Sequence, residues 1–87
     1  MLIPYCTIEN DIEVAHTPLN NKGEVLVRIE IPDEKLGFRV FECTVPSLNI
    51  KTAYGISPKE KVEYLDFCYH NTKDIIEYAK VGGIKNA

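Results

Sequence analysis

The chain has 87 residues and a net charge of −3, and its apolar fraction of 45% and charged fraction of 26% are ordinary for a soluble globular protein. A chain of this length predicts one domain, spanning residues 1–87. Lysines and arginines are scattered singly among acids, without the basic surface that nucleic-acid binding needs or the basic cluster that binds anionic lipids. No apolar run approaches membrane-spanning length, and we therefore expect neither a nucleic acid nor a membrane as a partner.

The three cysteines, Cys6, Cys43 and Cys68, are widely and irregularly spaced. An odd number of cysteines without a pairing pattern is typical of reduced thiols in the cytosol, not of a disulfide framework. The N-terminal stretch from Met1 to Cys6 is too short for a secretory signal and lacks its basic residues. These features predict a cytoplasmic protein.

The first part of the chain has the pattern of short strands separated by turns. Residues 2–8 contain Pro4, which cannot donate a hydrogen bond to a neighbouring strand, so this segment is an edge strand at best. Residues 12–16 alternate as a half-buried strand, and residues 17–23 have the Asn and Gly content of a hairpin loop. Residues 24–31 are the clearest strand, and their apolar side is expected to face the core: Val25, Val27, Ile29 and Ile31.

Residues 38–45 predict a strand with apolar side chains on both faces. Phe41, Cys43 and Val45 share one face, and Phe38 and Val40 share the other. Such a strand is central in its sheet, or its second face is covered. The next segment, residues 47–56, is either a short additional strand or a loop, because its apolar alternation is weak.

A long helix is predicted after Ser57. This residue caps the first turn, Pro58 occupies the first helical position, and Glu60 reaches back to the cap, as in a capping box. Gly82-Gly83 is expected to end the helix, which is either continuous or broken near Asn71. At about 100° per residue, one apolar stripe is expected to pack on the face formed by residues 25–31. Its members are Val62, Leu65, Cys68, Tyr69, Thr72, Ile75, Ile76 and Ala79.

The order of these elements, strands first and a helix last, predicts the fold class. We expect an α+β fold in which a small antiparallel β-meander of about three to five strands packs against one long C-terminal helix.

Three aromatic residues, Tyr64, Phe67 and Tyr78, widen the apolar stripe of the helix on one flank. The stripe becomes wider than that of an ordinary surface helix, so one sheet cannot easily cover it. We predict that these three rings form a protein-binding surface, because Tyr and Phe are enriched at interfaces. The expected partner is another protein or a second copy of the chain, as a homodimer. The alternative is that the N-terminal segment or the 46–56 loop covers this flank.

No catalytic residue, metal ligand or cofactor is predicted from the motifs of the chain. Cys68 and His70 are two positions apart on a helix, so their side chains point in different directions. Cys43 and Cys68 are interpreted as small buried hydrophobic residues, while Cys6 lies nearer an edge. His16 is expected to be an exposed histidine at a strand end and not a general base.

A strand ending at Pro32 is followed by a turn, a strand opened by residues 37–40, the segment 46–48 and a helix. This order loosely resembles the core of HicB-type antitoxins. That core runs as a strand, a Gly-aromatic strand, a Pro-Leu step and a helix. The connection from Leu48 to Ser57 is longer here than in that pattern.

These observations favour a small soluble non-enzymatic module that binds a protein or regulates one. An antitoxin- or inhibitor-like partner of another protein is one alternative. A small thiol- or histidine-dependent enzyme, or a ligand-binding domain, is the other, and it requires a pocket that holds a nucleophile beside a base.

Overall fold

The computed structural model describes residues 1–9 and 11–81, which form one antiparallel sheet and one helix. The elements are β1 (Ile3–Ile8), β2 (Ile12–His16), β3 (Val25–Asp33), β4 (Gly37–Val45), β5 (Ile50–Tyr54) and α1 (Pro58–Lys80). The strands lie in the sheet in chain order, each antiparallel to the next, and α1 packs across one face. This is the predicted α+β meander with one C-terminal helix. No helix in these described residues is long and apolar enough to cross a bilayer.

The core lies between α1 and the strands β3 and β4. Every second residue at the start of β3 is buried, as its alternation predicts: Val25, Val27, Ile29 and Ile31. Phe41, Cys43 and Val45 of β4 join the same layer through their pairing with β3. Because β4 lies between β3 and β5, the prediction of an internal strand is confirmed.

The two edges of the sheet are β1 and β5. β1 contains Pro4, as expected of an edge, and its register with β2 shifts between Pro4 and Cys6. The register of β5 shifts in the same way opposite Glu42 and Cys43. Residues 50–54 are therefore a strand, whereas Leu48 lies in the preceding turn at a φ of 60°.

The helix α1 runs without a break from Pro58 to Lys80, so the alternative of a break near Asn71 is wrong. Asn71 Nδ2 donates to the carbonyl oxygen of Phe67 at 2.8 Å, and Thr72 Oγ1 donates to that of Cys68 at 2.7 Å. Both side chains bond back to their own helix and do not cap a new one. Gly82-Gly83, predicted to end the helix, lies outside the described residues.

The side of α1 that faces the sheet coincides with the predicted stripe only in part. Three members of the predicted stripe are buried, as expected: Cys68, Ile75 and Ala79. Val62 is 68% exposed and Tyr69 is 64% exposed, so the prediction that these two pack on β3 is wrong. Leu65 and Ile76 do pack against the core. At about 100° per residue, the centre of the buried face is rotated about the helix axis by about 50° from the centre of the predicted stripe. The rotation is toward the aromatic flank formed by Tyr64, Phe67 and Tyr78.

Candidate protein-binding surface

The three rings predicted to bind a protein are half-buried, and two of them, Tyr64 and Phe67, pack against the core. The ring centroid of Tyr64 lies 5.7 Å from that of Phe41 in β4, and the centroid of Tyr78 lies 5.5 Å from that of Tyr5 in β1. Tilted contacts of this kind stabilise a packed layer. Only the outer part of each ring, including that of Phe67, can reach a partner. Their role in protein binding stays a prediction.

Tyr5 joins the edge strand β1 to the middle of α1. Its Oη donates to Asn71 Oδ1 at 2.9 Å, and Asn71 in turn donates to the backbone of Phe67. Burial, followed by the negative charge of Asp74, raises the pKa of Tyr5 to about 12. The phenol is therefore neutral at physiological pH, as a donor to an amide oxygen must be. Tyr5 thus covers part of the helix flank from within the same chain.

Two of the predicted residues, Tyr64 and Phe67, line a groove between α1 and the end of the β1–β2 hairpin. Ile8 and Ile12 line the same groove. Tyr78 is absent from it and lies against β1 instead. The structure therefore brings two of the three rings together and separates the third.

A charged contact lines part of this groove and connects the start of α1 to β4. Arg39 Nη1 donates to both carboxylate oxygens of Glu60, at 2.7 Å and 2.8 Å, and the Ser57 N–H donates to Glu60 Oε1 at 3.0 Å. The Arg39 guanidinium, followed by the Ser57 N–H, holds the pKa of Glu60 below its ordinary value. The capping box was predicted from the sequence, but Arg39 was missed. Glu60 is committed to these contacts and is therefore poorly suited to acid–base chemistry.

A second apolar row on α1 lies at the margin of the face that the sheet covers. Its members are spaced by three and four positions, and we call it the α1 outer stripe: Val62, Leu65, Tyr69, Thr72 and Ile76. Val62 and Tyr69 expose most of their surface, and the other three are partly buried. Alternating spacings of three and four residues are typical of the face that one helix presents to another.

The sheet face turned away from α1 also carries an exposed apolar area. Phe38 is 46% exposed and Tyr54 is 50% exposed, and their ring centroids lie 6.2 Å apart. Val40 is buried beside them, since it pairs with Tyr54 across the two strands. The middle of this face is charged, because Arg28 Nη1 lies 3.0 Å from Glu42 Oε2. This apolar area thus lies at the corner of the sheet formed by β4 and β5.

The cysteines Cys43 of β4 and Cys68 of α1 are fully buried and neighbour each other in the core. Interaction with Cys43, together with burial, raises the pKa of Cys68 above the usual range of a thiol. Their interpretation as buried residues is confirmed. Cys6 is exposed, and partial burial of its thiol also raises its pKa. Neither Cys6 nor Cys68 has the lowered pKa of a reactive thiol.

His16 is fully buried, which corrects the prediction of an exposed strand-end histidine. It pairs with Ile3 on one side and Val27 on the other, so strands enclose it. His16 Nδ1 lies 2.8 Å from the carbonyl oxygen of Thr17, and because a carbonyl only accepts, Nδ1 carries the proton. Nε2 has no hydrogen-bonding partner within the described part of the chain. In that same part, no three His, Cys, Asp or Glu side chains are placed to hold a metal ion.

No protein-family model, curated protein or solved structure matches this chain.

Proposed function

We propose that this chain is a small non-enzymatic protein-binding module, with a binding or regulatory role, and that its contact surface is the α1 outer stripe. The exposure of Val62 and Tyr69 carries this proposal, because covering large apolar side chains on a regular helical row is favourable in water. The spacing of the row suits a helix as the partner element. An antitoxin- or inhibitor-like role is one form of the same function, in which the partner is a different protein.

The edges of the sheet are less suited to binding another protein. A register irregularity in an edge strand twists it away from regular pairing, and both β1 and β5 contain one. β1 also contains Pro4, which has no N–H to donate. β5 presents the exposed Lys51, a residue type that disfavours strand addition at an edge. These features favour the helix over the edges as the contact element.

The alternative of a thiol- or histidine-dependent enzyme has less support. Cys43, Cys68 and His16 are inaccessible to a substrate, and the pKa of the exposed Cys6 is raised. A binding module needs none of these groups to react. The three free cysteines are consistent with a reducing compartment, and we propose a cytoplasmic location on that ground.

Site-specific photo-crosslinking in cells of the native host tests the proposed surface. A benzophenone amino acid in place of Tyr69 is expected to form an adduct with a protein, whereas the same amino acid in place of Lys51 is not. Val62→Glu should greatly reduce the adduct at position 69, since it places a charge in the stripe. Val62 is mostly exposed, so this substitution leaves the core intact.

The adduct is identified by mass spectrometry, and either a second copy of the chain or a different protein supports the proposed function. No adduct at position 69 contradicts the proposal. Equal adducts at positions 69 and 51, unaffected by Val62→Glu, contradict it as well, because they show collisions without a specific surface.

A further inference from the structure

We infer that the partner of the α1 outer stripe is a second copy of this chain, whose α1 lies antiparallel to the first across a two-fold axis near Tyr69. This inference rests on the proposed function. It names the partner of the same surface.

The charges beside the stripe point to this partner. Asp66 and Lys73 are both exposed on the side of α1 away from the sheet. Asp66 lies three and a half positions before the midpoint between Tyr69 and His70, and Lys73 lies equally far after it. Each is therefore about 5 Å from that midpoint along the helix axis. In an antiparallel pair centred there, Asp66 of each copy lies level with Lys73 of the other. Two attractive contacts form by symmetry, as an isologous interface requires.

A parallel pair lacks this match. In a parallel two-fold pair, each residue lies level with its own copy, so Asp66 of one copy and Lys73 of the other are about 10 Å apart along the helix axis and lie on opposite sides of the contact. Within the described residues Lys73 makes no ion pair of its own, and Asp66 contacts only His70, at 3.3 Å. Lys73 is therefore available for a partner.

The apolar residues of the stripe fit the same arrangement. With the axis beside Tyr69, the two Tyr69 rings meet near the centre of the contact. Val62 of one copy lies nearly level with Ile76 of the other, with an offset of one residue, or about 1.5 Å along the helix axis. The most exposed residues of the α1 outer stripe are thereby covered by the same stripe of the other copy. A two-fold dimer needs this self-complementarity.

The dimer is expected to be weak. The stripe from Val62 to Ile76 is about 21 Å long. One helix face of that length offers less contact area than the roughly 800 Å² per partner of a standard interface. Lys59 and Lys80 come level with each other at the two ends, where like charges oppose association. We therefore expect a dissociation constant in about the micromolar range or weaker.

Sedimentation equilibrium of the purified chain at low ionic strength tests the partner and its orientation. The wild type is expected to dimerise with rising concentration. Asp66→Lys alone and Lys73→Asp alone should each weaken dimerisation about three- to tenfold, since each replaces two attractive contacts by two repulsive ones. The double variant Asp66→Lys/Lys73→Asp should restore the wild-type dissociation constant, because it exchanges the two charges and recreates both pairs.

Lys51→Glu is the matched control, since it changes the net charge as Lys73→Asp does but lies on β5, and it should leave dimerisation unchanged. A dimer that the double variant fails to restore contradicts the antiparallel arrangement. A chain that stays monomeric at all concentrations contradicts the inference. If position 69 still crosslinks to a different protein, the proposed function survives that failure, and if it crosslinks to nothing, both are overturned.

Discussion

Ile29 lies in the middle of β3 with no exposed surface, within the layer that faces α1. Replacing it by alanine removes three carbon atoms from a packed core and leaves a cavity. Ile29→Ala is expected to reduce the free energy of unfolding by about 2–5 kcal/mol, measured by urea denaturation. Val62→Ala serves as control and should change it by less than about 0.5 kcal/mol, since Val62 is mostly exposed. Equal effects of the two substitutions would show that the assignment of the buried faces is wrong.

At the level of single residues, the sequence predicts where a strand lies better than it predicts which strands lie beside it. The alternation in β3 identifies its buried face because successive side chains of a strand point to opposite sides of the sheet. His16 shows the limit. Alternation says which way a side chain points but not which strands lie on either side, and the pairing of His16 with Ile3 and Val27 decides its burial. That pairing depends on contacts distant in the chain.

At the level of elements, the start of α1 was predictable and its attachment to the sheet was not. The capping box between Ser57 and Glu60 is local, and both of its hydrogen bonds form as predicted. The contact of Glu60 with Arg39 joins residues far apart in the chain. It depends on where α1 crosses β4, which no local pattern encodes.

Substitution of Glu60 tests this attachment through its pH dependence. Arg39 holds the pKa of Glu60 below its ordinary value of 4.5, so the contact contributes its full stability above that pH and loses it as pH falls through the lower, folded value. Glu60→Gln should cost about 1.5–3 kcal/mol at neutral pH. The difference from wild type, measured by urea denaturation, should shrink as the pH falls below 4.5.

Ser57→Ala is the companion variant, because it removes the cap hydroxyl and keeps the carboxylate beside Arg39. It should cost about 0.5–2 kcal/mol and leave most of this pH dependence in place. A difference between Glu60→Gln and wild type that does not vary with pH would show that the Glu60 carboxylate contributes no charge-dependent stability.

At the level of the whole molecule, the fold class followed from the order of its elements, because strands joined by short turns form a meander that a following helix can cover. The rotation of α1 did not follow from that order. The apolar arc of the helix is wider than the part that contacts the sheet, so two neighbouring faces could both be buried. Tyr5 decides between them, since its contacts with Asn71 and Tyr78 draw the aromatic flank inward. Val62 and Tyr69 are left at the surface as a result.

A matched pair of substitutions on α1 separates folding from association. Phe67 packs against the core and Tyr69 is mostly exposed, although the two are only two positions apart. Phe67→Asp is expected to cost about 3–5 kcal/mol or more, because it removes a packed ring and places a carboxylate against the core. The cooperative thermal transition, followed by circular dichroism, should then move to much lower temperature or disappear.

Tyr69→Asp should keep the cooperative transition within about 0.5 kcal/mol of wild type. It should abolish dimerisation in sedimentation equilibrium, because it places a charge at the two-fold axis. The reverse result would favour Tyr64, Phe67 and Tyr78 as the binding surface. In that case the Phe67→Asp chain melts normally but no longer associates, and Tyr69→Asp has no effect on association. The two substitutions introduce the same side chain into the same helix, so any difference between them reflects which face of α1 the sheet covers and which face is free to meet a partner.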